Sequence, residues 1–413
     1  MSDNTSSAKA SLRSTIDLLR DARWLTRKRL VVWGWVLVAA SLYLLVAGYR
    51  FYTARGLIAP DGEPLGQDFL NYYAGARVAA GGHAALVYDY HWFLAYERSL
   101  VGPVTPRLYA YPPIFPLFSL PLALLSYTPA LVVWTLLGLA VAIWLLRRLV
   151  GWLPALMVVA AAPASAFNVL LANNGYFTAA LLCGGLMLLE RRPLLAGVCF
   201  GCLSYKPQMG LLLPFALAAD GRWRAMAAAA ATCGVLVFAT LALFGAAPWV
   251  GFMHQMAPNR ALLQSDRVLW NWMLTVFVAA RQLGAPLGLA YAVQIASSAL
   301  AVVAVVAVWR RPGAFEVKAA TVIVATFLAT PYSQYYDAVV LIFAAAWLGR
   351  EGMRSGFLPW ERLAILALLL FPIMTVPLGM RADLPLAPAV LWLVLLLLVR
   401  RAVERPVALP VAA

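Results

Sequence analysis

Charge is what this chain has least of: only 12% of its 413 residues are Asp, Glu, Lys or Arg, about half the share of a soluble domain. That scarcity excludes an ordinary water-covered globule. Histidine is nearly absent too, with three residues, His83, His91 and His254, scattered at spacings no metal site uses. The four cysteines, Cys183, Cys199, Cys202 and Cys233, all fall inside apolar runs. Cys199 and Cys202 form a CxxC, but with apolar neighbours and no nearby histidine they read as small packing residues. There is no P-loop, GxSxG, HExxH or Rossmann fingerprint, so no soluble nucleotide cofactor is indicated, and no metal is expected. No internal repeat links the two halves, which argues against a repeat-built transporter.

What is present is apolar. Hydrophobic residues make up 63% of the chain, the mean hydropathy is +0.81, and runs long enough to span a bilayer recur along it. The fold class that follows is an all-α polytopic membrane protein. The net charge of +15 sits in short clusters between apolar runs, the pattern of topology signals and lipid contacts, so nucleic acid is not a partner. Those clusters are Lys9 to Arg29, Arg147-Arg148, Arg191-Arg192, Arg222 with Arg224, Arg310-Arg311, Arg350 with Arg354, and Arg400-Arg401. Placing every cluster in the cytoplasm requires two crossings between successive ones. About twelve helices fit, near 30–49, 129–146, 153–170, 175–190, 193–205, 207–219, 225–244, 287–309, 315–330, 337–348, 359–375 and 386–400. This divides the chain into a basic cytoplasmic segment (1–29), a transmembrane domain (30–400) and a cytoplasmic tail (401–413), with both termini inside.

The longest non-crossing segment is the first outer loop, 50–128, expected to carry two or three short surface helices. Within it, 111–126 is apolar but holds Pro112, Pro113, Pro116 and Pro121. It reads as a broken, partly embedded helix on the outer face, because a full crossing there would invert every later basic cluster. Helices 5 and 6 are short, so the Lys206-Pro207-Gln208 turn between them belongs within the membrane.

Polar residues then gather on the outer side: Asp68, Asn173-Asn174, Lys206 with Gln208, and Tyr332 to Asp337 including Gln334. Charges beside a bilayer are costly and commonly mark a site. Plainer roles compete at each position. Asp68 and Asp337 stand where helix caps stand; Lys206 could snorkel to the headgroups; Tyr72 and Tyr73 could belong to an interfacial aromatic belt.

The successive pieces GQDFLNYYAGARVAAGGHAALVYD, YPPIFPLFSLPLALL, NNGYFTAALLCGGLMLLERRPLLAGVCFG, YKPQMGLLLPFALAADGRWRA and ATPYSQYYDAVVL resemble glycosyltransferase family 87, of the GT-C superfamily, in order over about 30–350. The resemblance implies a GT-C-like membrane enzyme of the bacterial inner membrane. Such an enzyme takes a hexose, mannose in the characterised branch, from a polyprenyl-phosphate donor. It passes the sugar to a glycolipid or glycan hydroxyl on the periplasmic face, with inversion. The family's catalytic base falls on Asp68. Lys206 and Gln208 are then candidates for the donor phosphate. Asp337, Tyr72, Tyr73, Asn173, Asn174, Tyr332 and Gln334 are candidates for sugar and acceptor. Membrane lipids are the remaining partners, and no cofactor beyond the lipid donor is implied. One departure stands out: relatives carry Gly-Gln-Asn-Gly where this chain has Ala172-Asn173-Asn174-Gly175, a shorter amide in place of the glutamine. A lipid-linked sugar flippase is the alternative from another class; the long first loop and the missing repeats weigh against it.

Overall fold

In a computed structural model, which describes residues 15–265, 270–373, 375 and 384–404, the apolar runs are helices and no strand forms among the described residues. Lys9, Arg13 and the tail beyond 404 lie outside them. Helix α1 (Arg27–Tyr52) begins at Thr26, whose side chain accepts the Arg29 N–H. The first loop follows, carrying α2 (Asp68–Ala80), α3 (Tyr90–Val101) and α4 (Ile114–Ser119). Beyond it come α5 (Tyr127–Val150), α6 (Trp152–Ala161), α7 (Pro163–Leu170), α8 (Gly175–Leu188), α9 (Pro193–Cys202), α10 (Leu213–Ala219) and α11 (Trp223–Phe244). The chain ends through α12 (Ala247–Ser265), α13 (Val276–Gln282), α14 (Leu287–Trp309), α15 (Phe315–Ala329), α16 (Val339–Ser355), α17 (Glu361–Leu369) and α18 (Ala387–Glu404).

Every apolar run expected to cross is at least partly helical. By length and composition, however, only α1, α5, α11 and α14 among the described helices could each span a bilayer alone, with α6 and α7 a fifth span if taken together. Those two were expected as one straight helix over 153–170, and they meet instead at 68°. Pro163 explains the bend. It has no N–H to give, and it pushes Ala162 out of the helical region, to φ −71° and ψ 124°. The helix expected over 207–219 likewise starts late. Pro207–Gly210 is a 3₁₀ turn, and α10 begins only at Leu213. The 111–126 segment is also short: α4 runs on into a 3₁₀ turn at Leu120–Leu124. It buries Ile114, Phe115 and Pro116 and packs on α2.

Packing separates lipid-facing helices from central ones. Helices α1 and α11 bury only 6% of their apolar windows, so their Trp, Leu and Val side chains face outward. By contrast α15 buries every residue from Ala319 to Ala329, between α14, α16 and α18. Helix α9 lies hard against α11. A Cβ on Gly197 would sit 2.4 Å from the Ala225 carbonyl, and one on Gly201 2.5 Å from Thr232. Small residues four apart permit such an approach where apolar burial alone cannot drive helices together. The CxxC cysteines of α9 are free and partly buried. A second apolar cluster, built on Phe69, Tyr72, Phe93, Tyr109, Phe115 and Trp134, holds the first loop against α5.

Candidate active site

Four interruptions of helical structure meet beneath the first loop. Asp68 is the first residue of α2; Asn173 and Asn174 form the turn between α7 and α8; Lys206 separates the 3₁₀ turns that follow α9; Asp337 sits in the 3₁₀ turn Tyr335–Ala338 ahead of α16. Each break frees polar groups that an intact helix would keep within itself.

Asp68 does not act as a cap. The N-cap of α2 is Gln67, without a side-chain cap bond. One oxygen of the Asp68 carboxylate accepts from Asn173 Nδ2 at 2.7 Å, and the other faces Arg107 Nη1 at 3.3 Å. Asn173 is aimed by its own turn, since its Oδ1 accepts the Gly175 N–H at 3.1 Å, which leaves the NH₂ end toward Asp68. That NH₂ also reaches the Tyr72 hydroxyl at 3.1 Å, and Tyr72 and Tyr111 share a hydrogen bond at 3.0 Å. Asn174 donates to the Tyr111 hydroxyl at 3.0 Å and accepts from Lys206 Nζ at 3.0 Å. Lys206 also pairs with Asp337 at 2.5 Å. Asp337 accepts the Gln334 N–H at 3.2 Å, and Gln334 donates to the Tyr332 hydroxyl at 3.0 Å. One polar chain thus runs from Arg107 to Tyr332.

The backbone is strained at both ends of its central bond. Gln67, beside Asp68, has φ 32°, and Ala172, beside Asn173, has φ 44°, a region costly for residues with a Cβ. The turn carrying Asn173 is tied to α5 through Trp134 Nε1 and the Ala172 carbonyl, 3.0 Å apart. The loop carrying Asp337 is held by Trp272 and Leu274, which exchange backbone hydrogen bonds with Tyr335 and Ser333.

Burial sets the electrostatics. It raises the Asp68 carboxyl to about 6, against which the Asn173 hydrogen bond, the Lys206 charge and the Tyr336 hydroxyl work in the lowering direction. The Asp68 side chain keeps 27% of its surface open. Tyr72 and Tyr111 are pushed well above their usual range by burial and stay neutral donors at physiological pH. Lys206 and Asp337 are 3% and 1% exposed, a closed ion pair. A raised, partly exposed carboxylate with an amide on one oxygen and the longer Arg107 contact on the other is suited to taking a proton from a hydroxyl once that contact is released.

The structure therefore brings together Asp68, Tyr72, Asn173, Asn174, Lys206, Asp337, Gln334 and Tyr332. It leaves out two expected residues. Tyr73, one position on from Tyr72 in α2, faces another way and donates to the Leu125 carbonyl at 2.9 Å. Gln208 lies in the turn after Lys206 and is not part of the network. Asn173, short as its side chain is, reaches the carboxylate directly. Sequence reasoning missed Arg107 and Glu63, which form an ion pair with each other, and also Tyr111. Of these only Tyr111 carried a signal, as the first residue of the YPPIFP motif.

Gly175 sets the fit between α8 and the Asp337 loop. A Cβ there would fall 2.3 Å from Asn168 Nδ2 and 2.9 Å from the Tyr336 carbonyl. Gly175→Ala is expected to cost about 1–3 kcal/mol, as overpacking does, and to displace the Asn173 amide. A thermal unfolding midpoint equal to wild type would show that this contact is soft.

The family model of glycosyltransferase family 87 matches residues 109–331, more than half of the chain, and takes in Tyr111, Asn173, Asn174 and Lys206 of this network. No curated protein matches the chain, and no solved structure does.

Proposed function

The chain belongs to glycosyltransferase family 87, and from that premise we propose that it moves a hexose, such as mannose, from a polyprenyl phosphate to a hydroxyl acceptor, a glycolipid or glycan. The observation that carries the reading is the Asp68 carboxylate: half-open, spent on no helix cap, and raised by burial toward neutrality. In this scheme the acceptor hydroxyl gives its proton to Asp68 as its oxygen bonds to the anomeric carbon. The bond from that carbon to the phosphate oxygen breaks, and its electron pair leaves with the lipid phosphate. A single displacement of this kind inverts the anomeric centre. A positioned base in such a step is worth ~10²–10⁴-fold.

The neighbouring residues take supporting roles. Lys206 supplies positive charge toward the departing phosphate; two of its three donors are engaged by Asp337 and Asn174, leaving one. Gln208, in the following turn, is a second contact for the phosphate. Tyr72, Asn173, Asn174, Tyr332, Gln334 and Asp337 offer the hydrogen bonds that sugar hydroxyls need, and Tyr73 supports α2 from its other face. The site opens on the periplasmic side of the inner membrane, with about twelve crossings and both termini inside.

Two measurements test this. Purified protein in detergent, where transport cannot be scored, should convert a polyprenyl-phosphate hexose and an acceptor glycolipid into product of inverted anomeric configuration. Absence of turnover across hexose donors, with transport recovered in vesicles, would favour the flippase alternative. For topology, single cysteines at Gly62 and Gly221, both at backbone turns of positive φ, should react with an impermeant thiol reagent from opposite faces. Labelling from one face would sink the arrangement.

A further inference from the structure

Two cations meet the polar chain, and they are held differently. Lys206 is 3% exposed and gripped by a buried carboxylate and an amide. Arg107 is 18% exposed and lies in the irregular stretch between α3 and α4. Its guanidinium spans two carboxylates: Nη2 pairs closely with Glu63, while Nη1 reaches Asp68 at 3.3 Å. Glu63 is itself braced, its other oxygen accepting from Thr105 at 2.7 Å. The Glu63 side is therefore an anchor, and the Asp68 side is a long, exchangeable contact. A guanidinium presents five donors in a planar fork that matches phosphate oxygens in pairs, and only two are engaged in these ion pairs.

The arrangement has a cost for the reaction as long as it persists. A base whose free oxygen faces a guanidinium is a poorer proton acceptor. Exchanging Asp68 for a phosphate at Nη1 replaces one anion by another, so Arg107 stays paired throughout. We propose that Arg107 is the clamp for the donor's lipid phosphate, anchored by Glu63, and that donor binding draws it off Asp68 and thereby frees the base. This rests on the transferase reading above and adds to it the residue that recognises the phosphoester and a link between donor binding and base activation. In the transfer step, the electron pair of the broken carbon–oxygen bond goes to the phosphate that Arg107 holds, and the acceptor proton goes to the released Asp68. Glu63 is a positioning residue, since it acts through Arg107.

The test is binding of farnesyl phosphate to the full-length protein in detergent, with inorganic phosphate as the comparison. Wild type should bind the lipid phosphate. Arg107→Gln should raise its Kd at least about tenfold, the loss of one charge-assisted contact, and Arg107→Lys should recover part of it. Asp68→Asn, which removes the anion that the phosphate displaces while keeping shape, should lower Kd, where a merely structural role would raise it, and Glu63→Gln, which frees the guanidinium from its anchor, should raise it. Should Arg107→Gln fail to fold, the Asp68→Asn result decides alone. An unchanged Kd in Arg107→Gln, a Kd raised by Asp68→Asn, or binding of inorganic phosphate without farnesyl phosphate overturns the proposal. Arg107-dependent binding of farnesyl phosphate without sugar transfer from any polyprenyl-phosphate hexose leaves the clamp standing and removes the transferase reading.

Discussion

Asp68→Asn is expected to lower kcat by ~10²–10⁴-fold with donor affinity kept or raised. Asparagine keeps the size of the side chain and can still accept from Asn173, but it cannot take a proton at neutral pH. In wild type, kcat/KM should fall on the acid side as a single group near pH about 6 gains its proton. Asp337, Lys206, Arg107 and the Tyr336 hydroxyl all face that carboxylate's surroundings and set where the limb falls. Stability should move the other way. A carboxyl raised from 3.8 to about 6 favours the protonated form in the folded state. That contribution is complete below the unfolded value and is lost as pH rises through about 6. At neutral pH the ionised group is thus a burden on the fold, and the Asn variant should keep or raise its melting temperature. Near-normal turnover at saturating donor would remove Asp68 from the chemistry.

The second large effect is expected in stability, at Lys206 and Asp337. Were Asp337 only a cap, Asp337→Asn would cost less than about 1 kcal/mol, since asparagine caps about as well. The structure adds an ion pair buried on both sides, 3% and 1% exposed. Removing one member strands the other, which costs about 3–5 kcal/mol. Lys206→Met and Asp337→Asn should therefore each lower the unfolding midpoint sharply. The double variant Lys206→Met/Asp337→Leu should regain most of that loss, because a well-packed apolar pair often equals a buried ion pair. It should nevertheless remain impaired in transfer, having lost both the charge toward the phosphate and the clasp on Asn174. Two single variants of near-wild-type stability would mean that water reaches the pair and that the closed geometry is wrong.

How legible the site was depended on what each residue's neighbours in sequence disclosed. Asp68, Asn173, Asn174, Lys206 and Asp337 stood out because a polar group amid apolar runs is expensive without a purpose. Tyr72 and Tyr73 were indistinguishable as adjacent aromatics. On a helix, adjacent residues point about 100° apart, so only one could face the network, and the packing of α2 chose Tyr72. Arg107 was hidden for the opposite reason. Arginines are common in the first loop, at Arg55, Arg77 and Arg98 among others, and nothing local marks the one that folds back 39 positions onto Asp68.

The sequence by itself determined the class and the register of the helices. Apolar runs with sparse charge admit only backbone that satisfies its own hydrogen bonds, and Pro112 and Pro207 announced interruptions. It also marked the polar turns as the place for chemistry. Tertiary structure decided what those turns do together. The 68° bend at Pro163, the left-handed backbone at Ala172 and the pairing of residues 272–274 with 333–335 bring four distant breaks into one hydrogen-bonded chain. Local sequence cannot specify this, because the contacts that join the breaks span from 32 positions, between Asn174 and Lys206, to 131, between Lys206 and Asp337. Only the packed helices between them fix the distance.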